Sequence, residues 1–458
     1  MIFEDMEFGS YDKAEHKAHK AFELYEDGKM SQALEELETA LEINPSNGSW
    51  HFNKALTLDA ISRFDDAICE YELALQLNPD DLEILNSLAV DYTRTGQYDL
   101  AIDTFEHIHE LDPAFEPCYC NRIITYTEMG QHDMAEQMFY LAQQIDPDCA
   151  LCYYNIGNSL FARGQYKKAV RCWLRTAELE PTHPQISYRI AQAYWSEGDI
   201  KYAHEHFLAE LRVNPGDVDV ILDFGLFLLE VGDIESAKEK FKRILELRGD
   251  FAPALFYLGE IAFDNDDYEQ AVELFNQALL EDDSLLGPHY RLAQCALIRG
   301  QKKRARIHLV SELKLSPENA ETLVSMGSMF LAIGDFDSSK HCLRRAVESD
   351  SANANAYYYL GLVSAARGRL RDSTKFFTHA LDINGDHIAA LRDSAFVYLV
   401  MGRLSNAAKR ISRARALAGD DGQLKALERR IRLAQAIRGI GDFLRRFSPQ
   451  SILRRLLQ

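Results

Sequence analysis

The sequence predicts an all-α fold in which one helix pair is repeated along the chain. Three observations predict it. A helix-stopping residue returns every 34 residues, at Pro45, Pro79, Pro113, Pro147, Pro181, Pro215, Gly249, Asp283, Pro317, Ser351, Gly385 and Gly419, with no insertion or deletion between them. Proline lacks the N–H a helix needs and disfavours helix in the residue before it. A second series of breaks runs at the same stride through Gly28, Ser62, Gly96, Gly130, Gly164, Gly198, Gly232, Asp266, Gly300, Gly334, Gly368 and Gly402. Glycine suits the left-handed residue just past a helix C-terminus, so each 34-residue unit is cut into two helices. Finally, apolar residues recur at helical spacing, as at Leu85, Leu88 and Tyr92 and then Ala101, Phe105 and Ile108, and no strand pattern occurs anywhere.

Two positions in the unit demand small side chains. In the first helix they are Ala21, Ala55, Ala89, Gly157, Ala191, Gly225, Gly259, Ala293, Gly327, Gly361 and Ala395, with Ile123 the one large occupant. In the second helix Ala33, Ala67, Ala101, Ala135, Ala169, Ala203, Ala237, Ala271, Ala305 and Ala407 share a slot with Ser339 and Ser373. Four residues later comes a large filler: Tyr71, Phe105, Phe139, Trp173, Phe207, Phe241, Phe275 and Phe377, with Leu or Ile elsewhere. Positions i and i+4 lie on one helix face, so the pattern describes a socket and the knob that fills it.

The pattern resembles the tetratricopeptide repeat, W-x2-L-G-x2-Y, then A-x3-F, then P, at a period of 34. The third unit reads Leu85-x2-Leu88-Ala89-x2-Tyr92, Ala101-x3-Phe105, Pro113, and the Trp slot never holds Trp. The resemblance implies a right-handed superhelical α-solenoid of about twelve tandem helix-turn-helix repeats plus a C-terminal capping helix. The chain then divides into an N-terminal extension at 1–13, repeats at 14–47, 48–81, 82–115, 116–149, 150–183, 184–217, 218–251, 252–285, 286–319, 320–353, 354–387 and 388–421, a capping helix at 422–438 and a basic amphipathic tail at 439–458.

At 458 residues the chain would ordinarily hold about three domains, but the repeat makes it one quasi-one-dimensional array. Residues 1–12 are acidic and lack the apolar core of an export signal, and no run of about 18 apolar residues occurs. Eight Cys in so long a chain do not make a disulfide scaffold, so a reducing, cytoplasmic setting is expected. The net charge of −21 is uneven: Arg403 to Gln458 carries a balance of +10, leaving −31 on the body. An acidic body argues against nucleic acid and favours a protein or extended peptide, basic ones above all.

Along the chain, Phe3, Phe8 and Tyr11 can cover the open end of the first repeat or belong to a frayed terminus. Ile123 in a small slot predicts wider helix packing in repeat four. Pro117, Pro184, Pro253 and Pro288 are expected in the first turns of their helices, where a missing N–H costs little. Cys118, Cys120, Cys149 and Cys152 cluster at the join of repeats four and five, and Cys149-x2-Cys152 has zinc-like spacing. Yet Cys118 and Cys120, two apart on a helix, point about 200° apart, so free cysteines and no metal are expected.

The resemblance implies that first helices line an inner, concave wall through their fifth, sixth and ninth slots. Those slots hold Tyr154, Tyr188, Phe256, Tyr290 and Tyr358; Asn53, Asn121, Asn155, Arg189, Asp223, Tyr257 and Arg291; and Asn158, Gln192, Glu260 and Gln294. Amides can pair with both the N–H and C=O of an extended peptide, and Tyr adds rigid area with a polar tip. Asn121, Tyr154, Asn155, Asn158, Tyr188, Arg189, Gln192, Tyr257, Tyr290, Arg291 and Gln294 are therefore the candidate partner-binding residues. The family's clamp for a peptide carboxylate is not expected, since Tyr154, Asp219 and Asp223 stand where cations are required.

Leu424, Leu427, Ile431 and Ala434 recur among Lys425, Arg429, Arg430 and Arg432, as a capping helix requires. The tail carries Ile440, Phe443, Leu444 and Phe447 among Arg445 and Arg446, and suits fold-back, peripheral membrane contact or a partner. No catalytic motif is present: no H-E-x-x-H, no phosphate loop, no G-x-S-x-G. No cofactor is expected. The reading is a non-catalytic scaffold or adaptor. The alternatives are a regulator masked by its own basic tail, and the substrate-recognition subunit of a separate enzyme.

Overall fold

The structure, a computed structural model, describes residues 2–419 and 421–436, with side chains described over 13–419 and 421–435. The side chains of Phe3, Phe8 and Tyr11 and the whole 439–458 tail lie outside the described residues. Among the described residues there are 25 α-helices and no strand. The first helix, Ile2–Glu26, runs through the extension into repeat one, and thereafter each repeat contributes two helices, such as Leu82–Arg94 and Tyr98–Leu111 in repeat three.

The breaks have the conformation their residues favour. All twelve members of the glycine series have positive φ, including Ser62 at 61° and Asp266 at 60°. At Ser62 the N–H of Arg63 donates to Leu58 O at 2.9 Å and that of Ser62 to Asp59 O at 2.8 Å. This crossed pair satisfies carbonyls that a helix end leaves open. Side-chain caps open the next elements: Asp81 Oδ1 accepts from the N–H of Glu83 and Ile84 at 3.1 and 3.2 Å.

Sockets and knobs meet inside each repeat. A Cβ added at Gly157 would fall 2.4 Å from Trp173, at Gly259 2.6 Å from Phe275, and at Gly361 2.6 Å from Phe377. Trp173, Tyr71, Phe105, Phe207, Phe275 and Phe377 are fully buried. Each such burial stabilises by roughly 1.5–3 kcal/mol. Where Ile123 fills the small slot of repeat four, the filler Phe139 is only half-buried and turns its ring to Tyr153 at 5.3 Å. The extra bulk is thus absorbed by displacing the knob.

The chain forms two compact bodies, Met1–Asp233 and Ile234–Gln458. In the first, the second helix of each repeat packs on the first helix of the next, and neighbouring first helices touch, Glu116–Glu128 against both Leu82–Arg94 and Ala150–Ala162. In the second, the same succession runs through Leu309, Leu343 and Phe377 to the last helix, Gly422–Ala436, which buries Leu424, Leu427, Ile431 and Ala434 against Leu404–Ala418.

Repeats six and nine depart from the rule in the same way. Their first helices start late, at Ile186 and Pro288. Pro184 therefore lies outside its helix, whereas Pro117, Pro253 and Pro288 sit in first turns. The residues before the late starts, Gln185 and Gly287, have φ of 57° and 109°. A buried glutamate explains both. Glu210 and Glu312 occupy a slot that elsewhere holds mostly Ala, at 4% and 1% exposure. Glu210 Oε2 accepts the N–H of Tyr188 at 3.3 Å, and Glu312 accepts those of Gly287 and Tyr290 at 2.8 and 3.0 Å. The carboxylate caps the helix from the side, answering open N–H groups at its positive end. Burial raises the pKa of Glu312, and these two hydrogen bonds oppose the rise.

Candidate partner-binding site

The first body holds seven of the eleven candidate residues. Asn121 Nδ2 donates to Asn86 Oδ1 at 3.0 Å, linking repeats three and four. Asn155 is buried at 4% exposure and gives its amide to the Cys120 carbonyl at 3.1 Å. That places it in the joint between repeats four and five, not on an open lining. Tyr154 is half-buried, its ring 4.4 Å from His183. Tyr188 Oη and Gln192 Nε2 both donate to Asp223 Oδ2, at 2.7 and 2.9 Å, which ties repeat six to repeat seven. Burial, then the Asp223 hydrogen bond, raises the Tyr188 pKa, so the phenol stays protonated and donating.

Arg189 stands apart. It is half-buried, its Nη1 donates to Gln192 Oε1 at 3.3 Å, and its buried Nε has no hydrogen-bond partner. One repeat before it, Asn158 is half-buried, and no ion pair or hydrogen bond engages its amide among the described residues.

The second body holds the other four. Arg291 Nε donates to Glu260 Oε1 at 2.6 Å, its Nη2 pairs with Glu260 Oε2, and its Nη1 donates to Gln294 Oε1 at 2.9 Å. Gln294 Nε2 in turn donates to Tyr290 Oη at 2.9 Å. The guanidinium also lies 4.9 Å from the Phe263 ring centroid. Burial raises the Glu260 pKa and the Arg291 hydrogen bond opposes it. Tyr257 stacks on Phe241 at 5.4 Å. This patch is a closed network, with its cation and anion neutralising one another.

The cysteines correct one expectation. Cys120 and Cys152 form a disulfide, so they are not free. Cys118, two residues along the helix, points the other way and donates to Phe105 O at 3.3 Å. Cys149 Sγ lies 3.5 Å from Cys120 Sγ and accepts the N–H of Cys152 at 3.3 Å. Glu116, which the cysteine spacing does not reveal, brings Oε1 to 2.8 Å from Cys120 Sγ and 3.1 Å from Cys152 Sγ.

Two family models described as tetratricopeptide repeat match residues 20–81 and 118–149, and one described as TPR repeat matches 157–198. The chain is a tetratricopeptide-repeat protein. A further model, for the cilia and flagella-associated protein 70 C-terminal domain, matches residues 248–439. A curated relative, the protein CTR9 homolog of Arabidopsis thaliana, is 26% identical over 103 residues, a stretch covering 22% of this chain and only 9% of that protein. Among solved structures, the Cut9 and Hcn1 hetero-tetramer of APC/C overlaps 92% of this chain and 96% of its own at 13% identity and a TM-score of 0.43. Yeast Tom70 overlaps 95% and 99% at 15% identity and 0.40. YrrB, described as a TPR protein with an unusual peptide-binding site, overlaps 42% and 99% at 18% identity and 0.38. Proteins built from this repeat typically mediate protein–protein contacts. No helix among the described residues of this tetratricopeptide-repeat chain is long and apolar enough to cross a membrane.

Proposed function

We propose that this protein is a non-catalytic scaffold or adaptor, and that repeats five and six hold an extended segment of a partner protein. One comparison carries the reading. Repeats six and nine share the set Tyr-Arg-x-Ala-Gln, as Tyr188, Arg189, Ala191, Gln192 and Tyr290, Arg291, Ala293, Gln294. In repeat nine the arginine is closed onto Glu260, whereas in repeat six the residue at the matching place is neutral Asn158 and Arg189 pairs with no carboxylate among the described residues. A half-buried guanidinium that no carboxylate neutralises among the described residues, with the Asn158 amide one repeat before it, suits backbone carbonyls of an extended chain. Tyr154 adds flat contact area next to them. The −31 body attracts basic segments over a longer range, an effect that salt weakens.

The test is a peptide array or a co-purification with Tyr154, Asn158 and Arg189 changed to Ala, beside Arg291→Ala. A hydrogen bond to a charged group contributes roughly 1.5–3 kcal/mol, so the triple variant should lose about tenfold or more in affinity. Arg291→Ala should leave binding intact and lower stability. Undiminished binding by the triple variant rejects the reading.

A further inference from the structure

The sulfur cluster at the join of repeats four and five has a composition the partner-binding reading does not use. One ligand atom from each of Glu116, Cys120, Cys149 and Cys152 falls within 4.8 Å of all the others. Cys120 and Cys152 are buried, and Cys149 and Glu116 are half-buried. A disulfide sulfur carries no proton to donate, so the Glu116 carboxylate lies against Cys120 and Cys152 without a hydrogen bond from either. The remaining thiol of the set, Cys149, lies within 4.8 Å of that carboxylate. With the disulfide opened, three sulfurs and one carboxylate would converge on one point, and Glu116 makes no ion pair with any Lys or Arg among the described residues.

We propose that the reduced chain binds one zinc-type divalent cation through Cys120, Cys149, Cys152 and one oxygen of Glu116. Two sulfurs that are each about 2.3 Å from a tetrahedral zinc ion are about 3.8 Å apart. Cys120 and Cys149 already stand at 3.5 Å. Cys149 and Cys152 carry the two-residue spacing common in such sites, and the Cys152 N–H donates to Cys149 Sγ, which orients that sulfur as outer partners orient metal ligands. Four protein ligands leave no open position, so the site is structural and joins two repeats. Thiolates are softer ligands than water or carbonyl oxygen, which selects zinc over magnesium or calcium.

A water-soluble phosphine and one water convert the Cys120–Cys152 disulfide to two thiols and the phosphine to its oxide. Metal uptake then displaces one proton from each of the three thiols.

The 458-residue chain is reduced with the phosphine until all eight thiols titrate in denaturant, freed of metal, and titrated with Co2+ and then Zn2+. The expected result is one Co2+ per chain with the visible bands of a tetrahedral thiolate site, displaced by Zn2+, and a higher melting temperature in the presence of Zn2+. Cys149→Ser and Glu116→Gln should weaken retention by about tenfold or more, the effect even an outer partner can have. Cys118→Ser, a buried neighbour outside the cluster, should bind as the parent does. Circular dichroism shows that each protein stays helical. A folded, reduced parent that takes up no metal overturns the proposal. So does metal held equally well by Cys149→Ser.

Discussion

Gly157→Ala tests whether the socket and knob set the helix spacing. In an exposed helix the change would stabilise by about 1 kcal/mol, because Ala is the better helix former. Here the new Cβ would stand 2.4 Å from Trp173 Nε1 and 2.6 Å from its Cδ1. Trp173 is fully buried and cannot swing aside into solvent, and overpacking of this kind costs roughly 1–3 kcal/mol. Moving the indole also breaks the bond from Nε1 to Tyr154 O at 3.2 Å, at about 1 kcal/mol. The losses exceed the gain, for a net destabilisation of roughly 1–3 kcal/mol. The urea midpoint should fall, and amide exchange should speed up first across Ala150–Leu179. Adding Trp173→Phe to Gly157→Ala should recover part of the loss, since it removes the nearest ring atom. Gly216, whose added Cβ would meet nothing within 4 Å, is the control, and Gly216→Ala should not destabilise. A midpoint that rises in Gly157→Ala refutes the reasoning.

Other perturbations have defined outcomes. Ser62→Gly should raise the melting temperature, because Ser62 is exposed and sits at a φ of 61°. The left-handed cost of about 1–2 kcal/mol then outweighs glycine's extra chain entropy of about 0.5–1 kcal/mol. Glu312→Ala should cost roughly 1–3 kcal/mol by leaving the Gly287 and Tyr290 N–H groups unpaired, and exchange should report the loss at the start of Pro288–Ile298. Asp91 is held up at about 6 by burial and by Asp59, with Arg94 opposing. The folded chain therefore keeps this proton more tightly than the unfolded one. Its contribution is full below the ordinary carboxylate range and fades as pH rises through about 6. Asp91→Asn should flatten that part of the stability profile in a pH series of denaturation curves.

The helix pairs were legible because they are set by single residues acting on their own backbone. A stop every 34 residues and a positive-φ residue between stops require no knowledge of distant partners, and even Ser62 and Asp266 take the conformation of the glycines they replace. The socket and its knob were legible for a related reason: Gly157 and Trp173, or Gly361 and Phe377, are close in sequence and constrained in volume. The lining was harder to read because its polar atoms are answered from neighbouring repeats. Asn121 reaches Asn86, Asn155 reaches Cys120 and Tyr188 reaches Asp223, each across 35 residues, while Arg291 reaches Glu260 and Gln192 reaches Asp223 across 31. These separations are the stride plus one or minus three. Pairing the slots at those offsets would have exposed Asn155 as a joint and Arg189 as unanswered. The disulfide was missed because Cys118 and Cys152 occupy equal slots, whereas the bond forms from Cys120, at the stride minus two. Glu210 and Glu312 left a signal, two carboxylates in a column of mostly small residues, whose meaning depends on a helix that starts late.

The uninterrupted stride makes the repeats nearly interchangeable parts, because cutting out 34 residues rejoins ends of the same kind. The Cys120–Cys152 bond breaks that equivalence. It fastens repeat four to repeat five, so any shuffling, duplication or loss that parts them leaves two orphaned sulfurs. Repeats four and five are thereby riveted into one unit among otherwise exchangeable neighbours.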